Sequence, residues 1–217
     1  MKRYNIAREG MGFVLALIAF YILSFHMNWL QPSLAVLVIL LFVSYFFRDP
    51  EIRISFKNES VISPGEGRVV RIDTREEDEF LRKKMTCISV FLSIFDVHVN
   101  YIPYDAVVED LSYRKGKFIN AMKDESSHAN ERMSLLLSTE KGKIVVRQIA
   151  GLIARRVVCH AKKGARLKKG ERYGIIKFGS RVDVFLPESF KVTVKVGDSV
   201  LAGITEIAQA PEGGEAR

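Results

Sequence analysis

From Gly10 to Phe47, 38 consecutive residues carry no Asp, Glu, Lys or Arg. No water-facing helix of a small domain is built that way. Met11–Leu30 is apolar almost throughout. Pro32 interrupts, and Ser33–Phe47 (SLAVLVILLFVSYFF) is a second apolar run. A membrane-spanning helix needs about 20 apolar residues, with a lower limit near 17. The first run meets this and the second is marginal. No small-residue cleavage site follows the first run, which argues against a removed signal peptide. The expectation is therefore a helical hairpin, spanning the bilayer or lying in its interface; a hairpin buried in a soluble core is the alternative. Lys2, Arg3 and Arg8 precede the run, and Arg48, Arg53 and Lys57 follow it, whereas Asn28–Pro32 carries no charge. The excess of Lys and Arg outside both ends predicts that both face the cytoplasm. Trp29 at the turn suits the headgroup layer.

The chain has 217 residues, a net charge of +8 and a pI near 9.5. Residues 1–49 carry +2 of that charge and the remainder +6. A basic surface suits nucleic acid or anionic lipid, and the apolar N-terminus selects the membrane. Cys87 and Cys159 each lie in an apolar run, which predicts two buried thiols in a reducing compartment. The four histidines (His26, His98, His128, His160) have no metal-ligand spacing with each other or with cysteine, so no metal site is expected.

Beyond Val61 the pattern changes to short alternating runs with Gly turns. Strands are expected around Ser63-Pro64-Gly65-Glu66-Gly67, at Cys87–Leu92, Asp96–Ile102, Ala106–Leu111, Arg156–His160 and Lys191–Val196. Leu135–Ser138 and Ile144–Ile149 read as a hairpin. Thr74–Lys84 reads as a charged loop, and Lys117–Arg132 as a short helix or a long loop. The fold class predicted is mainly β, a barrel or sandwich hybrid like that of biotinyl and lipoyl carriers, preceded by the helical hairpin. The expected division is a membrane-associated hairpin at 1–49 and a β-rich domain at 50–217.

One strand pattern contains a break. In Ile175-Ile176-Lys177-Phe178-Gly179-Ser180-Arg181-Val182-Asp183-Val184-Phe185-Leu186-Pro187, apolar Val182, Val184 and Leu186 alternate with Arg181, Asp183 and Phe185. The glycine marks a kink or a close approach to the backbone. The string from Phe178 to Pro187 resembles the self-cleavage site of the short bacterial and archaeal phosphatidylserine decarboxylases. Phe47-Arg48-Asp49-Pro50 is similar to that family's exit from its membrane segment. Phe91-Leu92-Ser93-Ile94-Phe95-Asp96-Val97-His98 is similar to a segment that lines its site. Gly116–Ala121, Asn130-Glu131-Arg132 and Gln148–Val158 match as well. The resemblance covers roughly residues 46–210.

The resemblance implies that the chain cuts itself between Gly179 and Ser180, into a large and a small chain that stay associated. Ser180 then becomes a pyruvoyl group, the cofactor, with neither pyridoxal phosphate nor metal required. The cut is intramolecular, and aligned intramolecular reactions reach effective molarities of about 10⁵–10⁸ M. Attack of the Ser180 hydroxyl on the Gly179 carbonyl gives an ester. Loss of the Ser180 α-proton eliminates it, and the resulting dehydroalanine hydrolyses to ammonia and the pyruvoyl end. These proton transfers need a general base, and His98 is the candidate. The pyruvoyl carbonyl would form a Schiff base with the serine amine of phosphatidylserine and act as the electron sink for loss of CO₂, leaving phosphatidylethanolamine.

Two positions depart from the longer relatives. Tyr101 stands where they have a second histidine used in self-cleavage, and Glu66 stands where they have aspartate. Either His98 serves both steps, or the cut relies on strain and backbone donors. Glu66 reads equally well as a turn residue. Arg155 and Arg156 are candidates for the substrate's phosphate or carboxylate, or an ordinary solvated pair. The expected place of action is the cytoplasmic face of the cell membrane, on a phospholipid, with the oligomeric state open and a homo-oligomer possible. Three rival readings stand beside this one. The same chemistry on an archaeal ether lipid bearing serine is indistinguishable by sequence. Aspartate decarboxylase shares the Gly-Ser cut but is short and soluble. A membrane-tethered biotinyl- or lipoyl-like module needs a hairpin-tip lysine in a context that is absent.

Overall fold

A computed structural model describes residues 4–52, 57–117, 119, 121–122, 125–151, 156–177 and 180–212. The chain divides into two compact units, Met1–Glu51 and Ile52–Arg217.

The first unit is a helical pair closed at its base. Strand β1 (Tyr4–Ile6) leads into α1 (Arg8–His26), which turns into α2 (Leu30–Phe46) and strand β2 (Arg48–Pro50). β1 and β2 pair antiparallel, with Asn5 opposite Asp49, and the Ala7 N–H donates to the Phe47 carbonyl at 2.7 Å. Both ends of the hairpin therefore emerge side by side. Asn28 takes the left-handed conformation (φ 56°) that stops α1. Pro32 does not break the second helix; it sits in the first turn of α2, where a missing N–H leaves no hydrogen bond unmade. Ser33 and Ser24 hydrogen-bond to each other at 3.0 Å and also to backbone carbonyls of Trp29 and Tyr21. Few of the apolar side chains are covered. Of 22 large apolar side chains exposed among the described residues, 16 lie in this unit. α1 is long and apolar enough to cross a membrane, by length and composition; α2 is shorter.

The second unit is mainly β, as the sequence predicts, with its large sheet curled into a half barrel. Its strands are β3 (Ser60–Ile62), β4 (Gly67–Glu77), β5 (Lys83–Leu92), β6 (Val99–Tyr101), β7 (Ala106–Arg114), β8 (Arg132–Thr139) and β9 (Gly142–Ala150). After these come β10 (Val157–Cys159), β11 (Arg166–Leu167), β12 (Arg172–Ile176), β13 (Ser180–Leu186), β14 (Lys191–Val192), β15 (Ser199–Val200) and β16 (Glu206–Gln209). Eight form one sheet in the order β11-β7-β8-β9-β13-β5-β4-β15, and two three-stranded sheets, β10-β12-β6 and β14-β16-β3, complete the unit.

Three local expectations change. Thr74–Lys84 is no loop: β4 and β5 extend through it in register from Thr74↔Thr86 to Glu77↔Lys83, leaving only a short turn. That turn is held by the buried Glu77 carboxylate, which accepts backbone N–H groups of Glu79, Phe80 and Leu81 at 2.8–3.1 Å. In Asp96–Ile102 only Val99–Tyr101 is strand, and in Lys191–Val196 only two residues are. Among the described residues of Lys117–Arg132 there is one short helix, α3 (Ser126–Ala129). Both cysteines are free, Cys87 buried and Cys159 half-buried. Burial pushes both thiols up, so neither is a ready nucleophile.

β13 lies at the centre of the large sheet, paired with β5 and β9. Every residue of it is buried. Val182, Val184 and Leu186 enter the main core with Val90, Ile88 and Val146. Phe185 faces the other way, into a small cluster with Met85, Cys87, Leu136 and Val145. Alternation in the sequence thus reflects two differently filled interiors, one apolar and one partly ionic, with no solvent face.

Candidate active site

Ser180 is the first residue of β13, and the three central strands end together there. It lies opposite Leu92 at the end of β5 and Ala150 at the end of β9. By the two-residue period of a strand it shares the inward face with Val182. Its side chain is fully buried, and its hydroxyl has no hydrogen-bond partner among the described residues. A buried hydroxyl without a partner costs about 1–3 kcal/mol, and such groups collect at functional sites. Gly179 and Arg155 lie outside the described residues.

Three other segments converge on this point. The first is the Ser63–Gly67 turn, fixed by a Ser63 Oγ–Gly65 carbonyl bond of 2.7 Å. It runs so close over the strand ends that a Cβ on Gly65 would lie 3.3 Å from Leu92 and 3.5 Å from Val182. A Cβ on Gly67 would lie 2.0 Å from the Phe91 carbonyl, so only glycine fits there. Glu66, half-buried, is carried between these two glycines, next to the strand residues that flank Ser180.

The second segment is Ser93–Tyr101. The Ser93 N–H donates to the Asp96 carboxylate at 2.7 Å, and the Val97 N–H donates to Glu66 Oε1 at 3.2 Å. Glu66 thus holds the backbone just ahead of His98. His98 is buried, and its Nδ1 lies 2.9 Å from the Asp96 carbonyl. A carbonyl only accepts, so Nδ1 carries the proton and a neutral ring keeps its lone pair on Nε2, the form of a general base. The third segment is the end of β12. The Ile176 N–H donates to the His98 carbonyl at 3.2 Å, and the Lys177 N–H to the Arg156 carbonyl at 3.2 Å. The fold therefore brings Ser180, His98 and Glu66 to one end of the sheet. Arg156 joins through its backbone, with an exposed side chain.

Sequence reasoning passed over the polar groups that brace this end. Gln148 Nε2 donates to Asn100 Oδ1 at 2.7 Å, tying β9 to β6, and both are fully buried. Gly174 makes room, since a Cβ there would lie 2.9 Å from Gln148 Nε2. Asn130 donates to the Ala150 and Ile119 carbonyls, both at 2.7 Å. On the outer face, Arg181 makes a two-pronged pair with Asp183 at 2.8 and 3.0 Å. Arg181 also donates to the Ala121 carbonyl and to the hydroxyls of Ser126 and Ser127. The only signal of these roles in the sequence is a charge inside a strand that is otherwise apolar.

A cavity of about 390 Å³ opens beside this cluster, lined by Glu66, Gly67, Arg68, Phe91, Ser93, Asp96, Ser199, Val200 and Leu201. A larger one, about 540 Å³, is lined by residues such as Ser138, Thr139 and Glu140. It lies at the far end of β8 and β9, roughly 25 Å along the strands from Ala150, away from the chemistry.

The family model for phosphatidylserine decarboxylase matches residues 39–208. The chain belongs to that family. A phosphatidylserine decarboxylase proenzyme of Symbiobacterium thermophilum is 44% identical over 214 residues, covering 98% of this chain and 99% of that protein. One from Syntrophus aciditrophicus is 41% identical over 204 residues, covering 91% and 94%. One from Wolbachia pipientis is 40% identical over 211 residues, covering 94% and 90%. Family membership makes the chain a carboxy-lyase.

Proposed function

We propose that the chain is a membrane-attached phosphatidylserine decarboxylase proenzyme that cuts itself at Gly179-Ser180 and works with a pyruvoyl group derived from Ser180. The observation that carries this reading is the buried Ser180 hydroxyl, without a partner among the described residues, at the head of a central strand. That hydroxyl fits a group made from the serine itself. The acyl shift from the Ser180 nitrogen to its Oγ requires a base for the hydroxyl proton, and the elimination requires one for the α-proton. His98, with its lone pair on Nε2, is proposed for these transfers and for returning a proton to the substrate carbon after CO₂ leaves. Glu66 is proposed to position the Val97-His98 backbone through the Val97 N–H. Arg156 is a weaker candidate for the substrate's anionic groups, and Arg155 stands with it by sequence alone. When present, the pyruvoyl carbonyl supplies an electron sink for decarboxylation of an amine-linked substrate.

The protein's own contribution is burial, orientation and proton transfer. Burial excludes water and strengthens electrostatic interaction at the reacting atoms. The apolar helical pair, with both ends joined by the β1–β2 ladder, supports attachment from one side, and the flanking basic residues favour the cytoplasmic one. Purified protein should release CO₂ from phosphatidylserine and form phosphatidylethanolamine, and Ser180→Ala should abolish this. Undiminished turnover by Ser180→Ala would contradict the proposal.

A further inference from the structure

We infer that the 390 Å³ cavity bordered by Glu66 and Asp96 receives the phosphodiester of the lipid, with Arg68 as its cationic partner; this rests on the decarboxylase reading above. Arg68 and Ser199 are direct cross-strand partners on β4 and β15. Cross-strand neighbours hold their Cβ atoms about 4.5–5.5 Å apart, so a guanidinium and a hydroxyl stand together at the cavity wall. Ser93 adds a second hydroxyl to the same wall. Arg68 is exposed and makes no ion pair or hydrogen bond among the described residues. That contrasts with Arg147 and Arg181, which are buried and hydrogen-bonded. Guanidinium and hydroxyl donors are the groups that bind a phosphate oxygen pair.

The remaining lining fits the rest of the headgroup. The Glu66 and Asp96 carboxylates border the cavity and suit an ammonium group, and Glu66 leads through Val97 to His98. Exposed apolar side chains stand on the neighbouring turns. Leu201, 45% exposed, lines the cavity; Phe95, 60% exposed, lies on the turn between Ser93 and Asp96, and Ile204, 39% exposed, on the turn that starts at Leu201. These side chains suit the glycerol and first acyl carbons at a bilayer surface, where apolar residues bind beside a basic one. Phosphate, ammonium and apolar stem thus each have a chemically matched group in or next to the cavity.

The test compares wild type, Arg68→Gln and Arg68→Lys, each shown by mass to be processed alike. Substrates are phosphatidylserine in phosphatidylcholine vesicles and a short-chain phosphatidylserine kept monomeric. Arg68→Gln should raise KM about 10–100-fold for both, the usual loss for a charge-assisted hydrogen bond, with kcat changed little and Arg68→Lys recovering part. An unchanged KM for the monomeric substrate overturns the phosphate contact; a defect confined to vesicles would assign Arg68 to the bilayer surface instead. Wild type inactive on both substrates would remove the decarboxylase reading itself, a separate failure.

Discussion

Arg181 and Asp183, two residues apart on β13, form a two-pronged ion pair in which both side chains are about 1% exposed. The pair lies on the outer face of the strand whose first residue is Ser180. It ties that strand to Ala121, Ser126 and Ser127. Losing one partner leaves a buried charge uncompensated, which costs about 3–5 kcal/mol. Asp183→Asn and Arg181→Met should each lower stability by that order in urea unfolding. The double variant Arg181→Met/Asp183→Leu should recover much of the loss, and single variants within about 0.5 kcal/mol of wild type would show that the pair contributes little.

His98 should matter in proportion to one acid–base group. In the processed enzyme, His98→Ala should lower turnover by about 10²–10⁴. Glu66→Gln should have a smaller effect, because an amide oxygen still accepts the Val97 N–H. Following cleavage and turnover in the same variants separates the two steps. Near wild-type turnover in His98→Ala would remove it from the mechanism.

Acid should loosen the β unit through Glu79. Burial alone would raise its carboxyl, but hydrogen bonds from Ser134, Ser112 and Arg114 and the nearby Arg147 hold it below the usual 4.5. A carboxyl lowered in the folded state stabilises above its unfolded value, and that stability is lost as pH falls through the folded value. The melting temperature should therefore drop below about pH 4.5, and Glu79→Gln should flatten that limb while costing stability at neutral pH. An acid limb identical in wild type and variant would assign acid lability elsewhere.

The helical pair should act as the membrane attachment. Its exposed apolar faces, from Phe13 and Leu15 to Leu34 and Leu41, are of the kind that marks a membrane or protein contact. Full-length protein should stay with membranes through a high-salt wash and require detergent. Removing residues 1–47 should release the remainder. Extraction of the full chain by salt alone would reduce the attachment to surface charge.

What the sequence made legible follows its periodicities. The uncharged run declared the helical pair, and the alternation in Cys87–Leu92, Ile144–Ile149 and Val182–Leu186 declared the central strands. The Thr74–Lys84 stretch misled because charge normally marks a loop. Here alternate charges lie on a face where Arg147 and Glu77 neutralise one another, at 2.9 Å, out of water. Pro32 misled because a proline that stops a helix in mid-run is also well placed in the first turn of the next. Of the proposed site residues, Ser180, His98 and Glu66 stood out through resemblance. Arg68 and Ser199 did not, since 131 residues separate them in the chain and only the pairing of β4 with β15 makes them neighbours.

The central claim is that Ser180 is both nucleophile and cofactor precursor, and an intact mass measurement on purified wild-type protein tests it most directly. The account predicts two polypeptides, residues 1–179 and a 38-residue piece from position 180. The mass of the small piece should correspond to a pyruvoyl start in place of serine, and that piece should resist Edman degradation because it has no α-amine. Ser180→Ala should remain one chain. A wild-type preparation that decarboxylates phosphatidylserine while staying a single uncut chain of 217 residues would contradict the account.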